Sequence, residues 1–266
     1  MTPFNRCAQR ILLASALAPW PAAAFAQTSE RPSDKDVKAV IEQVDEGRDK
    51  FEGNLDGQFK GSTLRGPAGE TKVSGALQDY QDNTQKLKQR FTADYSASTE
   101  VATVLKQSAS IDAFMQTSQS GMKGRSEWDR QVTNLKHLAE AYGTTFPLTD
   151  GAAVRRMNDK ETAAAAESVG TAAGRFKDDL GKAGTLPKPD REAAKKDVEA
   201  LVKQANTVKS RVNDGKPATA EVRQLVEQNT KVQAFVDANP MPAAVPNWQA
   251  VQASLGKLQQ AFGLTK

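Results

Sequence analysis

Any chemistry in this chain would have to come from one histidine, two tryptophans at matching places and a scatter of acids. His137 and Glu140 stand three residues apart, which puts them on one face of a helix, the spacing of the Glu-x-x-His motif of di-iron bundles. Here the order is reversed and the pair occurs once, whereas a metal needs three or four ligands. His137 therefore reads as a surface or partly buried side chain, and no metal or cofactor is expected. No Cys-x-x-Cys-His run is present to attach haem. Acids are plentiful, but nothing singles out a pair for acid–base work. There is no G-x-S-x-G elbow, phosphate-binding loop, G-x-G-x-x-G turn or H-E-x-x-H run. A Ser/His/Asp triad would have to use His137, which lies in a helical stripe with no serine signal to match it. The reading is a non-enzyme with no catalytic, cofactor-binding or metal residue to name.

Trp128 and Trp248 lead to the elements that would position such groups, because they are equivalent places in a tandem repeat. Leu87–Thr117 and Val208–Ala238 align without a gap at an offset of 121, with eight identities over 31 positions, among them Lys88/Lys209, Arg90/Arg211, Glu100/Glu221 and Phe114/Phe235. At an offset of 120 the match continues through Trp128/Trp248, Leu135/Leu255, Leu138/Leu258, Ala141/Ala261, Gly143/Gly263 and Thr145/Thr265. Upstream, Val44, Phe51 and Leu55 match Val169, Phe176 and Leu180 at an offset of 125.

Apolar residues recur three and four apart throughout, the period of amphipathic helices. The first stripe runs Val37, Val40, Ile41, Val44, Phe51, Leu55, Phe59, behind a capping-box start at Ser33 and Asp36. The breaker-rich Gly61–Gly69 reads as a loop, and a second helix is expected from about Glu70 to Phe91. A third follows over about Ala97–Met115, then Gly121 and Gly124 mark a loop. Ser126 with Asp129 is expected to cap a fourth helix carrying Trp128, Val132, Leu135, Leu138 and Tyr142. Asn158 with Glu161 starts the second set, which repeats the plan and ends on a helix with Pro246 in its first turn. No period-two alternation lasts more than a few residues, so no sheet is expected. The fold class is all-α, as two tandem homologous antiparallel four-helix bundles, residues 33–146 and 155–266. The linker Phe146–Val154 is short, so the bundles should touch, end to end with a nearly continuous helix across residues 150–160.

The repeated residues have structural readings. The tryptophans fall on apolar stripes and read as core. Arg90 and Arg211 lie near helix C-termini and Glu100 and Glu221 in first turns, where each complements the macrodipole. Lys88 and Lys209 read as solvated. The longer loop Ser62–Gly69, with an exposed Leu64 and Arg65, departs from the repeat and is the one stretch that looks open to a partner.

Residues 1–26 read as a signal peptide: Arg6 and Arg10, an apolar run Ile11–Ala18, then Ala24-Phe25-Ala26 before a cleavage expected between Ala26 and Gln27. The apolar run is well short of the roughly 20 residues a bilayer requires, so no stable membrane insertion after cleavage is expected. The only cysteine, Cys7, lies in this segment, so the mature chain would have neither disulfide nor thiol nucleophile. The formal charge of +4 falls to +2 without Arg6 and Arg10. Opposite charges are interspersed along the chain, which argues against a nucleic-acid partner.

The segments SEWDRQVTNLKHLAEAYGTTFP and LRGPAGE resemble stretches of uncharacterised exported, all-helical proteins of Gram-negative bacteria. The resemblance spans most of the chain after residue 26 and implies export and helical structure, with no activity, cofactor or site residue attached. The expectation is a periplasmic or secreted interaction or structural module of the cell envelope, partnered by another envelope protein. Two alternatives stand beside it: a helical bundle holding a small ligand or metal, and a periplasmic holdase chaperone.

Overall fold

The computed structural model describes residues 30–66, 69–117, 122–184 and 186–264. The signal-peptide reading with Cys7, the loop marker Gly121 and the end of the repeat at Thr265 lie outside the described residues. The described chain is all-α apart from one small hairpin.

The amino-terminal half contains α1 (Asp34–Asn54), a single turn α2 (Gly57–Lys60), a hairpin of β1 (Thr63–Gly66) and β2 (Gly69–Lys72), α3 (Val73–Arg90), α4 (Ser98–Thr117) and α5 (Arg125–Ala141). The carboxy-terminal half contains α6 (Asp159–Lys182), α7 (Lys188–Asn213), α8 (Thr219–Ala238) and α9 (Val245–Ala261). Within each half the same neighbours pack: α1 on α3 and α5, and α3 on α4; then α6 on α7 and α9, and α7 on α8. The buried apolar residues form two separate clusters, one from Val37 to Phe146 and the other from Ala163 to Phe262. Each fully buried Val, Leu, Ile or Phe contributes about 1.5–3 kcal/mol, so each cluster is the main stabiliser of its half.

The starts of α1 and α6 are as expected from local chemistry. Ser33 and Asn158 accept from the backbone N–H three residues on, while Asp36 and Glu161 accept from the cap residue's own N–H. Pro246 sits in the first turn of α9.

Six expectations are corrected. The absence of sheet does not hold, because Thr63–Gly66 pairs antiparallel with Gly69–Lys72 and Leu64, far from exposed, is buried in the core. Four residues per strand are too few to show an alternating pattern, and Gly69, at φ 110, is the glycine that closes the hairpin. Consequently the second long helix starts at Val73, not Glu70, and Phe59 leaves the α1 stripe for α2, where it packs edge-on to Phe114 at 6.4 Å. The cap of α5 is Gly124 rather than Ser126: its backbone is left-handed at φ 88, a conformation that glycine adopts without steric cost. Ser126 is thereby inside the first turn and bonds Glu127 instead. Finally, no continuous helix joins the halves. Residues 152–158 have no regular secondary structure, and the capping box at Asn158 terminates α6 at its amino end.

Candidate functional site

The interiors of the two halves are the first places to look for a bound group, and both are filled by side chains. Trp128 is buried against Phe51, with ring centroids 4.9 Å apart, and its indole donates to Asp112 at 2.9 Å. Trp248 repeats this with Phe176 at 5.0 Å and Gln233 at 2.7 Å. Both tryptophans are thus core, each with its N–H satisfied by the preceding helix.

The amino-terminal interior holds a polar network that the sequence reading missed. Gln131 is fully buried and donates to the Val44 carbonyl at 2.8 Å and to the Tyr80 hydroxyl at 2.6 Å. Tyr80 also meets Ser108, and burial pushes its phenol up to about 12. The guanidinium of Arg48, buried beside them, bonds Asp45 at 3.3 Å and Asp49 at 2.5 Å. At the equivalent places the carboxy-terminal half has Val251 for Gln131, Leu201 for Tyr80 and Ala173 for Arg48. The signal for Gln131 was present: three residues after Trp128 and four before Leu135, it lies on the stripe that Val132 was assigned to, and Val132 is only half-buried.

The repeated charges hold their expected places, Arg90 and Arg211 in last turns and Glu100 and Glu221 in first turns, and there they also find each other. Arg90 pairs with Glu100, and Arg211 with Glu221, across the turn between consecutive helices. Lys88 and Lys209, expected to be solvated, reach Asp45 at 3.1 Å and Glu167 at 2.8 Å on the first helix of each half. The hydrogen bond to Asp45 raises the Lys88 ammonium above its ordinary value.

The two halves meet where the amino termini of α1 and α6 cross, and the contact is reciprocal. Arg31 donates to the Asp159 carboxylate at 2.7 Å and to the Met157 carbonyl at 2.6 Å. Arg156 donates to the Asp34 carboxylate and to the Pro32 carbonyl, both at 2.8 Å. The Asp34 backbone N–H donates to Asp159 and the Asp159 N–H to Asp34, again both at 2.8 Å. Each aspartate thus sits at the amino end of the other half's helix, where a negative charge is favoured. Both guanidinium groups are nearly enclosed, with 6% and 2% side-chain exposure. Burial lowers the pKa of Arg31, as does the nearby Arg156, and Asp159 opposes the shift. Arg31 also lies over the Phe262 ring at 5.8 Å. Sequence reasoning did not single out these residues, although carrying the 125-residue offset upstream of Val44 pairs Arg31 with Arg156 and Asp34 with Asp159.

Beside this clasp a cleft of about 940 Å³ lies between the halves. His137 and Glu140 of α5 line one wall, while Lys257 and Gln260, at the equivalent places on α9, line the other. Ala164, Ala165 and Ser168 of α6 and the lead-in residues Arg155 and Arg156 complete it. His137 is half-buried and Glu140 exposed, as expected, at the junction, and the two walls differ in charge at matched positions. Among the described residues no three His, Cys, Asp or Glu side chains gather as a metal site, and no helix is long and apolar enough to cross a membrane. No known family model, curated protein or solved structure matches this chain.

Proposed function

We propose that this is an exported, non-enzymatic module of the bacterial cell envelope, built by tandem duplication of a four-helix bundle, which binds another envelope protein in the cleft between its halves. The cleft carries this reading: it lies open between the halves, while both bundle interiors are packed with buried apolar side chains. Its walls mix small apolar residues with a charged rim, a composition suited to a protein segment. The duplication is supported by the sequence offsets and by the paired Phe–Trp contacts, Arg–Glu pairs and capping boxes of the two halves. Export rests on the character of residues 1–26.

A small-ligand reading is favoured by the same cleft, whose volume lies in the ordinary range for such pockets. It moves the ligand from the bundle interior to the junction. The holdase reading gains no support, since among the described residues only Tyr95 and Val245 are exposed large hydrophobics.

Photo-crosslinking residues placed at Ser168 and Lys257 in the intact envelope test the proposal, with Lys196 and Lys231 on other helices as controls. Both cleft positions should trap one and the same protein. Equal trapping at the controls, or none anywhere, sinks the partner reading. Native mass spectrometry of the chain from Gln27 onward reports separately on a small ligand, as a fixed added mass.

A further inference from the structure

The clasp has a property that its cleft does not explain. Its six polar contacts form three pairs, and in each pair every residue is 125 positions from its mate: Arg31 to Asp159 against Arg156 to Asp34, Arg31 to the Met157 carbonyl against Arg156 to the Pro32 carbonyl, and the two backbone N–H bonds to the aspartates. When residue i of one body meets j of the other and j meets i in return, the relation is that of an isologous two-fold dimer. Here it occurs inside one chain. Each half therefore carries a complete, self-complementary set: an enclosed arginine, an aspartate opening a helix, and a backbone carbonyl between them.

Nothing in this surface distinguishes the tandem half from the corresponding half of a second chain. The linker alone makes the contact intramolecular, by holding the halves at an effective concentration in the millimolar range. It has no regular secondary structure over residues 152–158, Thr149, Asp150, Gly151 and Ala153 along it are exposed, and its ends are joined by the Arg155 N–H bond to the Tyr142 carbonyl. We infer that the clasp is a self-recognition surface, through which the chain pairs with a second copy of itself by exchanging halves. The amino-terminal half of one copy clasps the carboxy-terminal half of the other. Two monomers contain two clasps and so does the exchanged dimer, so no contact is lost, and the balance is set by linker length and concentration. This stands on the clasp, whatever occupies the cleft.

The test uses the chain from Gln27 onward. Isotopically light and heavy samples, mixed at millimolar concentration and warmed, should yield dimers of mixed mass by native mass spectrometry. Adding Arg31→Ala and Arg156→Ala, at unchanged helicity by circular dichroism, should abolish the mixed dimer. A chain that forms no mixed dimer overturns the inference, and so does a mixed dimer that survives loss of both arginines.

Discussion

Gly47 and Gln131 share one space. A Cβ on Gly47 would stand 2.1 Å from Gln131 Oε1, and that amide is anchored by the Val44 carbonyl and the Tyr80 hydroxyl. Alanine in a helix is ordinarily favoured over glycine by roughly 1 kcal/mol. Gly47→Ala should nevertheless destabilise the protein by about 1–2 kcal/mol, because it displaces a buried hydrogen-bonded group. Urea unfolding measures this, and a stabilised variant would show that Gln131 moves freely. Tyr80 gives a pH signature. Its phenol is held neutral by burial up to about 12, against 10.0 for the free side chain. Between these values the folded state retains a proton that the unfolded state has lost, so stability is fully present below pH 10 and declines as pH rises toward 12. The span is worth about 3 kcal/mol. Tyr80→Phe should therefore lower stability at neutral pH, where Gln131 and Ser108 lose a partner, yet flatten the decline at high pH. Equal slopes of unfolding midpoint against pH in the two proteins would refute this.

At the scale of elements, the hairpin and the caps behave differently. Leu64 ties the hairpin to the amino-terminal core at 3% exposure. Leu64→Ala should cost about 2–4 kcal/mol. Hydrogen exchange should quicken in β1, β2 and α4, which β1 touches, while α6–α9 keep their protection. Quickening spread evenly over all helices would mean that the two cores unfold as one. The capping box at Asn158 stops α6 from running back into the linker, and Asn158→Ala should cost about 1 kcal/mol. These elements were unequally legible. The long helices follow from three- and four-residue spacing that any window detects. The hairpin does not, since its strands are four residues each and its one core anchor looks like an exposed loop leucine. The α5 cap was missed because Ser126 offers a familiar capping side chain, whereas Gly124 caps through its left-handed backbone at φ 88 with no side-chain bond.

At the scale of the whole molecule, ion pairs differ by burial rather than by number. Lys160 and Asp94 also bridge the halves, but both are over 70% exposed, whereas Arg156 is enclosed. Lys160→Ala should change stability by at most about 0.5 kcal/mol. Arg156→Ala should cost about 3 kcal/mol, because it leaves the Asp34 carboxylate without its partner in a nearly closed site. It should also widen the molecule in small-angle scattering as the halves separate. Equal effects of the two substitutions would remove the clasp as the tie between halves.

By itself the sequence determined the all-helical character, most helix boundaries, the tryptophans as core and the capping boxes of α1 and α6, since each depends on residues within a turn or two of one another. Tertiary structure alone decided the rest. Gln131, Arg48 and Tyr80 became a network because four helices converge on them, and stripe position alone does not say which polar groups will meet. Arg90 and Glu100 became a pair because a turn folds one helix back on the next. Arg31 and Asp159, 128 residues apart, became a clasp because the halves meet by their helix starts. The physical reason is one of range. Helix periodicity and capping are local energies written in neighbouring residues, whereas burial and pairing between distant segments exist only after the chain has closed upon itself.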